Sequence, residues 1–322
     1  MEDRRKKGWG KVTQVMGILG EVALGAHRVE AGLILRSSIL VSSLLWSAEA
    51  WSAVSDKELK RLEQVDTHFL RLLVGGHSKC PTVFHHLETG TLKLRHILTI
   101  QRLLYLRHIV TLNDDETVKK VYEKQKAEAN KGDWYKLIKK DFEFIGEDLD
   151  EDSVKMKTKN EYKKWVISKV KKAAFDAYIE EKNTLSKIRS LNYTKLETQL
   201  YLKDKMFDKE ERKLLYAMRS RCHMSKNNFK KMNRNDLKCS FGCDSIETQK
   251  HVFGECEPIK HFLKSSTSVQ YEGIYEDAES QKHTIKDFLE IDKARQEMMS
   301  LLPGEAEART HASPSAMQQT CL

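Results

Sequence analysis

Three cysteines and one histidine lie close together in the last third of the chain, at Cys239, Cys243, His251 and Cys256, with the spacing C-x3-C-x7-H-x4-C. Zinc binds four nitrogen or sulfur ligands in a tetrahedron, and a close cysteine pair on one turn can supply two of them. Gly242 lies inside that turn, where tight backbone geometry favours a residue without a side chain. His251 and Cys256 are spaced to start and end a short helix-like turn. The four residues predict a closed, structural Zn²⁺ site with no position left for a reacting water.

The alternative interpretation is that these cysteines are unrelated, small, buried apolar groups. A histidine and a third cysteine at these spacings favour zinc over that alternative. Such a site commonly contributes about 10–16 kcal/mol to folding, which is enough for a segment that lacks a core of its own. Cys80, Cys222 and Cys321 stand apart, and we expect them to be ordinary thiols.

A basic segment precedes the cysteines. Residues 212–238 hold nine lysines and arginines against one acid, Asp236, which gives 9 − 1 = +8. Localised positive charge favours a polyanion, so we predict contacts with RNA or single-stranded DNA, with Phe229, His223 and Tyr216 available to stack on bases. A solvated helix face is the alternative, but such faces usually mix both signs of charge. The predicted nucleic-acid contacts are Arg212, Lys213, Arg219, Arg221, Lys226, Lys230, Lys231, Arg234 and Lys238.

Composition limits the class of protein and its location. The 322 residues carry a formal net charge of +9, with 32% charged and 40% hydrophobic residues. No secretory signal is visible, and the most apolar stretch, residues 36–49, is shorter than the roughly 17–25 residues of a membrane-spanning helix. We therefore expect an intracellular protein, cytoplasmic and/or nuclear, with no membrane partner. Six cysteines in such a chain are better explained as thiols or metal ligands than as disulfides.

The zinc ligands must be positioned by helices, because apolar residues recur along the chain with the helical period of 3.6. A helical stretch is predicted over residues 29–51, and Ser55 with Glu58 forms a capping box that opens the next helix. Gly75 and Gly76 end that helix. Later helices are predicted after Pro81 to about residue 88, then over 94–109, 118–129 and 134–145, and from residue 162 onwards.

Residues 146–159 are predicted as a linker, Asp208 and Glu211 as a further capping box, and residues 303–322 as a disordered tail. The expected fold class is mainly α: several short helical bundles, then a small zinc knuckle and a disordered tail. The expected regions are a thumb-like helical region (1–112), charged short helices with a linker (113–160), a helical connection region (161–222), the knuckle with its basic lead-in (223–260), C-terminal helices (261–302) and the tail (303–322).

Several segments, in this order, resemble the part of non-LTR (LINE-type) retrotransposon reverse transcriptases that follows the polymerase palm. They are LRSSILVSSLLWSAEAW (35–51), LEQVDTHFLRLLVGG (62–76) and LETGTLKLRHILTIQRLLYLRHI (87–109). The segment MRSRCHMSKNNFKKMNRNDLKCSFGCDSIETQKHVFGEC (218–256) resembles their C-terminal CCHC segment, including the Glu-Thr before the histidine. The resemblance covers roughly residues 1–300. The chain departs from the family in having three residues between Cys239 and Cys243, where two are more usual.

The resemblance implies thumb and connection helices that hold template RNA and primer, followed by a knuckle that assists nucleic-acid binding. It also implies a missing catalytic palm, because polymerase chemistry needs carboxylates that hold two metal ions. The adjacent pair Asp114-Asp115 follows a helical stretch without flanking strands, and we interpret it as a helix stop. We therefore expect a truncated fragment with no catalytic residue and no enzymatic activity of its own, whose partner in the full-length parent is a polymerase palm.

Two other hypotheses remain open from the sequence. The chain could be a helical protein-interaction protein, derived from a retroelement, that keeps a structural zinc site. It could also be an enzyme that works together with a separate palm chain. The histidines His85, His86, His96 and His108 are scattered over predicted helices with no nucleophile motif, so we predict packing or surface roles for them.

Overall fold

A computed structural model describes residues 1–21, 27–52, 54–128, 134–223, 237–239, 241–263, 271–275 and 277–301. This part of the chain is mainly α, as predicted, and bridges between extended residues in it are limited to two isolated pairs. The chain divides into two compact units, Met1–Lys205 and Met206–Leu322. The tail predicted at 303–322 lies outside the described residues. Among the described helices, none combines the length and apolar character needed to cross a membrane.

Unit 1 is built from eleven α-helices in the described residues. They are α1 (Glu2–Glu21), α2 (Arg28–Leu35), α3 (Ser42–Leu44), α4 (Asp56–Val74), α5 (Thr82–Thr89), α6 (Leu94–Val110), α7 (Thr117–Glu128), α8 (Trp134–Phe144), α9 (Glu151–Met156), α10 (Lys159–Asn183) and α11 (Leu200–Lys203). Helix α6 packs against α10, and α1 packs against α4. The regions predicted at 1–112 and 113–160, with most of 161–222, therefore belong to one unit.

The ends of α4 are set by local sequence, as predicted. The Glu58 backbone N–H donates to Ser55 Oγ at 3.3 Å, and the Ser55 N–H donates to the Glu58 carboxylate at 3.2 Å. This capping box satisfies backbone donors that a helix start leaves without partners. At the other end Gly75 adopts a left-handed conformation, with φ of 69°, and stops the helix.

The helical stretch predicted over residues 29–51 is not one continuous α-helix. After α2 the backbone widens into a π-helical segment, Arg36–Val41, and Ser47 has a positive φ of 51°. Serine hydroxyls here compete for helix carbonyls, since Ser38 Oγ donates to Ile34 O at 2.9 Å and Ser42 Oγ donates to Ser38 O at 2.5 Å. Such competition favours departures from regular α geometry.

A long-range contact closes unit 1. Residues 191–203, called here the strap, lie against the end of α5. The buried Glu88 carboxylate accepts hydrogen bonds from the hydroxyls of Tyr193 and Tyr201. Thr198 Oγ1 donates to Thr89 O at 2.9 Å, and the Gln199 N–H donates to Glu88 O at 2.9 Å. The strap therefore forms both side-chain and backbone hydrogen bonds with α5.

The linker predicted at 146–159 is partly helical, which corrects that prediction. Helix α9 forms within it, and the Asp150 side chain accepts from the backbone at its start. Val154 is buried, and Glu151 accepts a hydrogen bond from the Tyr122 hydroxyl at 2.7 Å and pairs with Lys126 at 2.8 Å. Contacts from α6 and α7 thus hold a segment whose composition alone suggests a loop.

Unit 2 carries the predicted metal ligands on a small helical frame. Its α-helices in the described residues are α12 (Lys209–Arg219), α13 (Glu257–Leu263) and α14 (Ala278–Leu301). The predicted capping box at Asp208 and Glu211 is present at the start of α12. Phe253 and Phe288 are buried with ring centroids 4.8 Å apart, which joins the ligand segment to α14.

Candidate metal centre

The first two ligands lie on a short hairpin. The Glu247 N–H donates to Leu237 O at 2.8 Å, and the Cys239 N–H donates to Ser245 O at 2.9 Å. In the turn between these two paired segments the Gly242 N–H donates to Cys239 O at 3.3 Å, and Gly242 has a φ of +86°. A side chain at that φ would be strained, so the glycine lets the chain reverse between Cys239 and Cys243. The predicted turn is therefore present, with three residues between the cysteines.

The other two ligands lie at the ends of a short helical turn, as predicted. The His251 N–H donates to Thr248 Oγ1 at 3.0 Å, which caps the turn, and a π-helical segment runs over His251–Glu255. Cys256 follows directly, before α13. The turn thus brings His251 and Cys256 back to the hairpin that carries the first two cysteines.

The four side chains converge. Ligand atoms of Cys239, Cys243, His251 and Cys256 all lie within 4.8 Å of one another. Cys256 Sγ is 3.7 Å from Cys239 Sγ and 3.8 Å from Cys243 Sγ, which is far beyond a disulfide bond length of about 2.0 Å. The His251 Nε2 atom is buried and has no hydrogen-bond partner in the described part of the chain. This group can hold a metal ion.

Electrostatics around the sulfurs favour a cation. Burial and the neighbouring Cys239 raise the pKa of Cys256, and burial is also the main cause of the raised pKa of Cys243. At the start of α13, the Glu257 N–H donates to the Cys243 sulfur and the Ile259 N–H donates to the Cys256 sulfur. These two hydrogen bonds act to lower the pKa of each thiol. Closely spaced, partly buried sulfurs are energetically unfavourable as thiolates, because their negative charges repel each other and are poorly solvated. A bound divalent metal ion compensates these charges.

A charged layer that sequence reasoning missed supports the ligand segment. Glu247, at 0% side-chain exposure, pairs with Arg295 of α14 at 3.0 Å. His223 Nε2 lies 3.2 Å from Asp292 Oδ1. Burial works to raise the pKa of Asp292, but His223 and Arg295 outweigh it and the pKa is lowered. Of this layer the sequence singled out only the Glu247–Thr248 pair, as part of a resemblance and without a role. Nothing in the sequence around Asp292 and Arg295 on α14 indicated these pairings.

The predicted nucleic-acid contacts fall into three groups. Arg212 and Arg219 are buried, and Arg219 Nη1 donates to Ile274 O at 2.9 Å, so their placement does not favour phosphate contact. Lys213, Arg221 and Lys238 are surface residues, and Lys238 lies 3.0 Å from Asp244. Outside the described residues lie Lys226, Lys230, Lys231 and Arg234.

The aromatic residues predicted to stack on bases are placed differently from that prediction. Tyr216 is fully buried, and His223 is buried with its ring edge-on to Phe253 at 4.8 Å, so neither presents a ring face to solvent. Phe229 lies outside the described residues. Both rings instead belong to the core of unit 2, which their aromatic character alone could not reveal.

Three of the four scattered histidines are interior side chains of unit 1. His86 Nδ1 lies 3.0 Å from Thr91 Oγ1, and His96 Nδ1 lies 3.2 Å from the Tyr178 hydroxyl. Burial lowers the pKa of His85 to about 4 and that of His96 to about 3. His108 is exposed on α6.

Comparison with known proteins finds no relative: no family model, no curated protein and no solved structure matches this chain.

Proposed function

We propose that residues 237–256 form a structural zinc knuckle and that the chain binds RNA or single-stranded DNA without catalysing a reaction by itself. The observation that supports this most directly is the convergence of three sulfurs and one buried, unpartnered imidazole nitrogen, with Cys243 alone of the four residues partly exposed. All four positions belong to protein ligands, so the metal would stabilise the fold rather than activate water.

The spacing of the sulfurs fits zinc. Zn–S bonds of about 2.3 Å in a tetrahedron place neighbouring sulfurs about 3.8 Å apart. The separations from Cys256 Sγ to the other two sulfurs are 3.7 and 3.8 Å. Three thiolates with one imidazole also select a soft or borderline metal over magnesium or calcium. Reduced thiols are maintained in the cytoplasm and nucleus, which is where we place the protein.

The nucleic-acid part of the proposal rests on charge beside the knuckle. Lys213, Arg221 and Lys238 are exposed cations of unit 2, and the sequence of the lead-in adds four more between residues 226 and 234. We infer from the order of motifs that the chain derives from the region after the palm of a LINE-type reverse transcriptase. A palm domain would then be its partner in the parent protein.

Metal analysis of the purified full chain tests the zinc site. We expect close to one equivalent of zinc, which is lost in Cys243→Ser and kept in Cys80→Ser, a buried cysteine outside the group. Replacement by cobalt should give the intense visible absorption of tetrahedral thiolate ligation. Iron in place of zinc, or equal metal content in both variants, would contradict this assignment.

Binding to a fluorescein-labelled oligouridylate and its deoxy counterpart tests the second part. The logarithm of affinity should fall linearly with the logarithm of salt, and Lys213→Gln with Arg221→Gln should reduce the slope by roughly 0.7 per residue. Zinc binding without any oligonucleotide binding would favour the alternative function, a helical protein-interaction protein with a structural metal.

A further inference from the structure

Helix α10 in unit 1 carries a dense run of lysines. Between Tyr162 and Phe175 there are five lysines and no acid. Lys169 pairs with Glu147. The other four are exposed, and none forms an ion pair with a described residue. We call these four the lysine face: Lys163, Lys164, Lys171 and Lys172.

The packing of α10 fixes the direction of the lysine face. The opposite side of the helix is buried in unit 1, through Tyr162, Val166, Val170, Ala174 and Tyr178. Because that side is held in the core, the helix cannot rotate to bury or redistribute its charges. The lysines are therefore presented to solvent by a rigid element.

Lys164 and Lys171 lie on one side of α10, and Lys163 and Lys172 flank that side. Lys164 and Lys171 are seven residues apart, which is close to two helical turns or about 10.5 Å along the axis. Lys172 is the residue after Lys171, and Ser168, with its small side chain, lies one turn from both Lys164 and Lys172. Glu161, one turn before Lys164, accepts hydrogen bonds from the Thr158 backbone and hydroxyl at the helix start.

Another lysine-rich helix of unit 1 shows the contrast. On α7, Lys119 pairs with Glu123 at 3.2 Å, and Lys124 approaches Glu128 at 3.9 Å. Helix α7 therefore mixes charges, as solvated surface helices usually do. On α10 the nearest acids lie at the two ends of the lysine run, Glu161 near Lys164 and Asp176 four residues after Lys172. The four lysines still repel one another, and a polyanion relieves that repulsion.

We propose that the lysine face binds the sugar–phosphate backbone of nucleic acid. This inference rests on the proposed function for the class of partner and adds a second contact, in unit 1, to the one proposed for unit 2. Lysine ammonium groups act as point charges without the planar fork of arginine, so the contact is to phosphate and independent of base sequence. Binding releases counterions, which makes the contribution of the face measurable through salt.

The test replaces the four lysines of the face by glutamine in the full chain. The control replaces four exposed lysines elsewhere in unit 1, Lys57, Lys60, Lys120 and Lys124, and so removes the same net charge. Circular dichroism checks that both variants fold. For oligouridylate, the lysine-face variant should lose about 3 from the salt slope, since each phosphate contact contributes about 0.7. The ratio of wild-type to variant affinity should therefore fall on the order of 50-fold between about 50 and about 200 mM salt.

Three outcomes decide the proposal. A slope that falls in the lysine-face variant and stays near the wild-type value in the control supports it. Equal losses in both variants overturn it, because net charge alone would then explain binding. Lysine-dependent binding to phosphatidylserine vesicles without binding to oligouridylate also overturns it. The Cys243→Ser chain separates the two proposals, since the lysine face predicts residual salt-dependent binding that the knuckle does not supply.

Discussion

Arg295 of α14 donates from Nη2 to Glu247 Oε1 at 3.0 Å, although 48 residues separate them in the chain. Glu247 directly precedes Thr248, whose hydroxyl caps the turn that carries His251. The backbone N–H of Glu247 also closes the hairpin by donating to Leu237 O. One buried carboxylate thus connects both halves of the ligand set to the C-terminal helix.

Arg295→Met should weaken both the fold of unit 2 and its metal affinity. Removing one partner of a buried pair leaves an uncompensated charge, which costs about 3–5 kcal/mol. We expect a lower unfolding temperature and at least a tenfold weaker zinc affinity, measured by competition with a chromophoric chelator. Lys250→Gln is the control, because its pair with Glu255 is exposed and surface pairs contribute about 0–1 kcal/mol. Equal effects of the two substitutions would show that the Glu247 pair does not support the site.

Metal removal should affect unit 2 and leave unit 1 folded. All five tryptophans, at positions 9, 46, 51, 134 and 165, lie in unit 1, so their fluorescence reports on that unit alone. Treatment with a strong chelator should reduce the negative ellipticity at about 222 nm, which reports helix content. The tryptophan emission maximum and the unfolding midpoint of unit 1, followed by tryptophan fluorescence, should stay unchanged. Restoring zinc should recover the ellipticity. A simultaneous shift of tryptophan emission would contradict two separately folding units.

Gly90→Ala should destabilise unit 1 far more than Gly146→Ala does. Both glycines have positive φ, 65° and 70°, so both substitutions cost about 1–2 kcal/mol in backbone strain. At Gly90 an added Cβ would also lie 2.3 Å from the backbone carbon of Glu197 in the strap, whereas at Gly146 nothing lies within 4 Å. Relieving that clash adds about 1–3 kcal/mol. Denaturant unfolding followed by tryptophan fluorescence measures the difference, and equal losses would argue against the strap contact.

Acid should destabilise unit 1 through its buried histidines. Burial lowers the pKa of His96 from its ordinary 6.5 to about 3, so below pH 6.5 the unfolded chain takes up a proton that the folded chain does not. Its contribution is therefore complete above pH 6.5 and is lost as the pH falls towards 3, amounting to roughly 3 kcal/mol between pH 7 and pH 4. His96→Gln should flatten this dependence in tryptophan-monitored unfolding, and the exposed His108→Gln should not. A parallel pH profile in both variants would refute the assignment.

The parts of this fold that the sequence predicted are those set by neighbouring residues. Ser55 with Glu58 and Asp208 with Glu211 close capping boxes over three residues, and the metal ligands are specified by spacing alone. Each capping box lies within one turn, and the four metal ligands lie within 18 residues of sequence. Local rules are sufficient there, because the partners are already near each other in the unfolded chain.

The parts that sequence did not predict depend on distant packing. Glu247 needs Arg295, and Glu151 needs Tyr122, before their roles appear. Arg212 and Arg219 belong to a basic run, and only the tertiary fold shows that they are buried. Charge composition describes what a segment could attract, whereas burial decides which of its cations remain on the surface.

The strap has a consequence for how unit 1 assembles. Tyr201 reaches the carboxylate of Glu88 across 113 residues, so this contact closes a very long loop. The entropy of closing such a loop is lost before its contacts compensate, which makes the step late and slow relative to helix formation. During synthesis α1 to α10 can form and pair as they leave the ribosome. The end of α5 stays uncovered until the strap has emerged, and the unit reaches its final form only then.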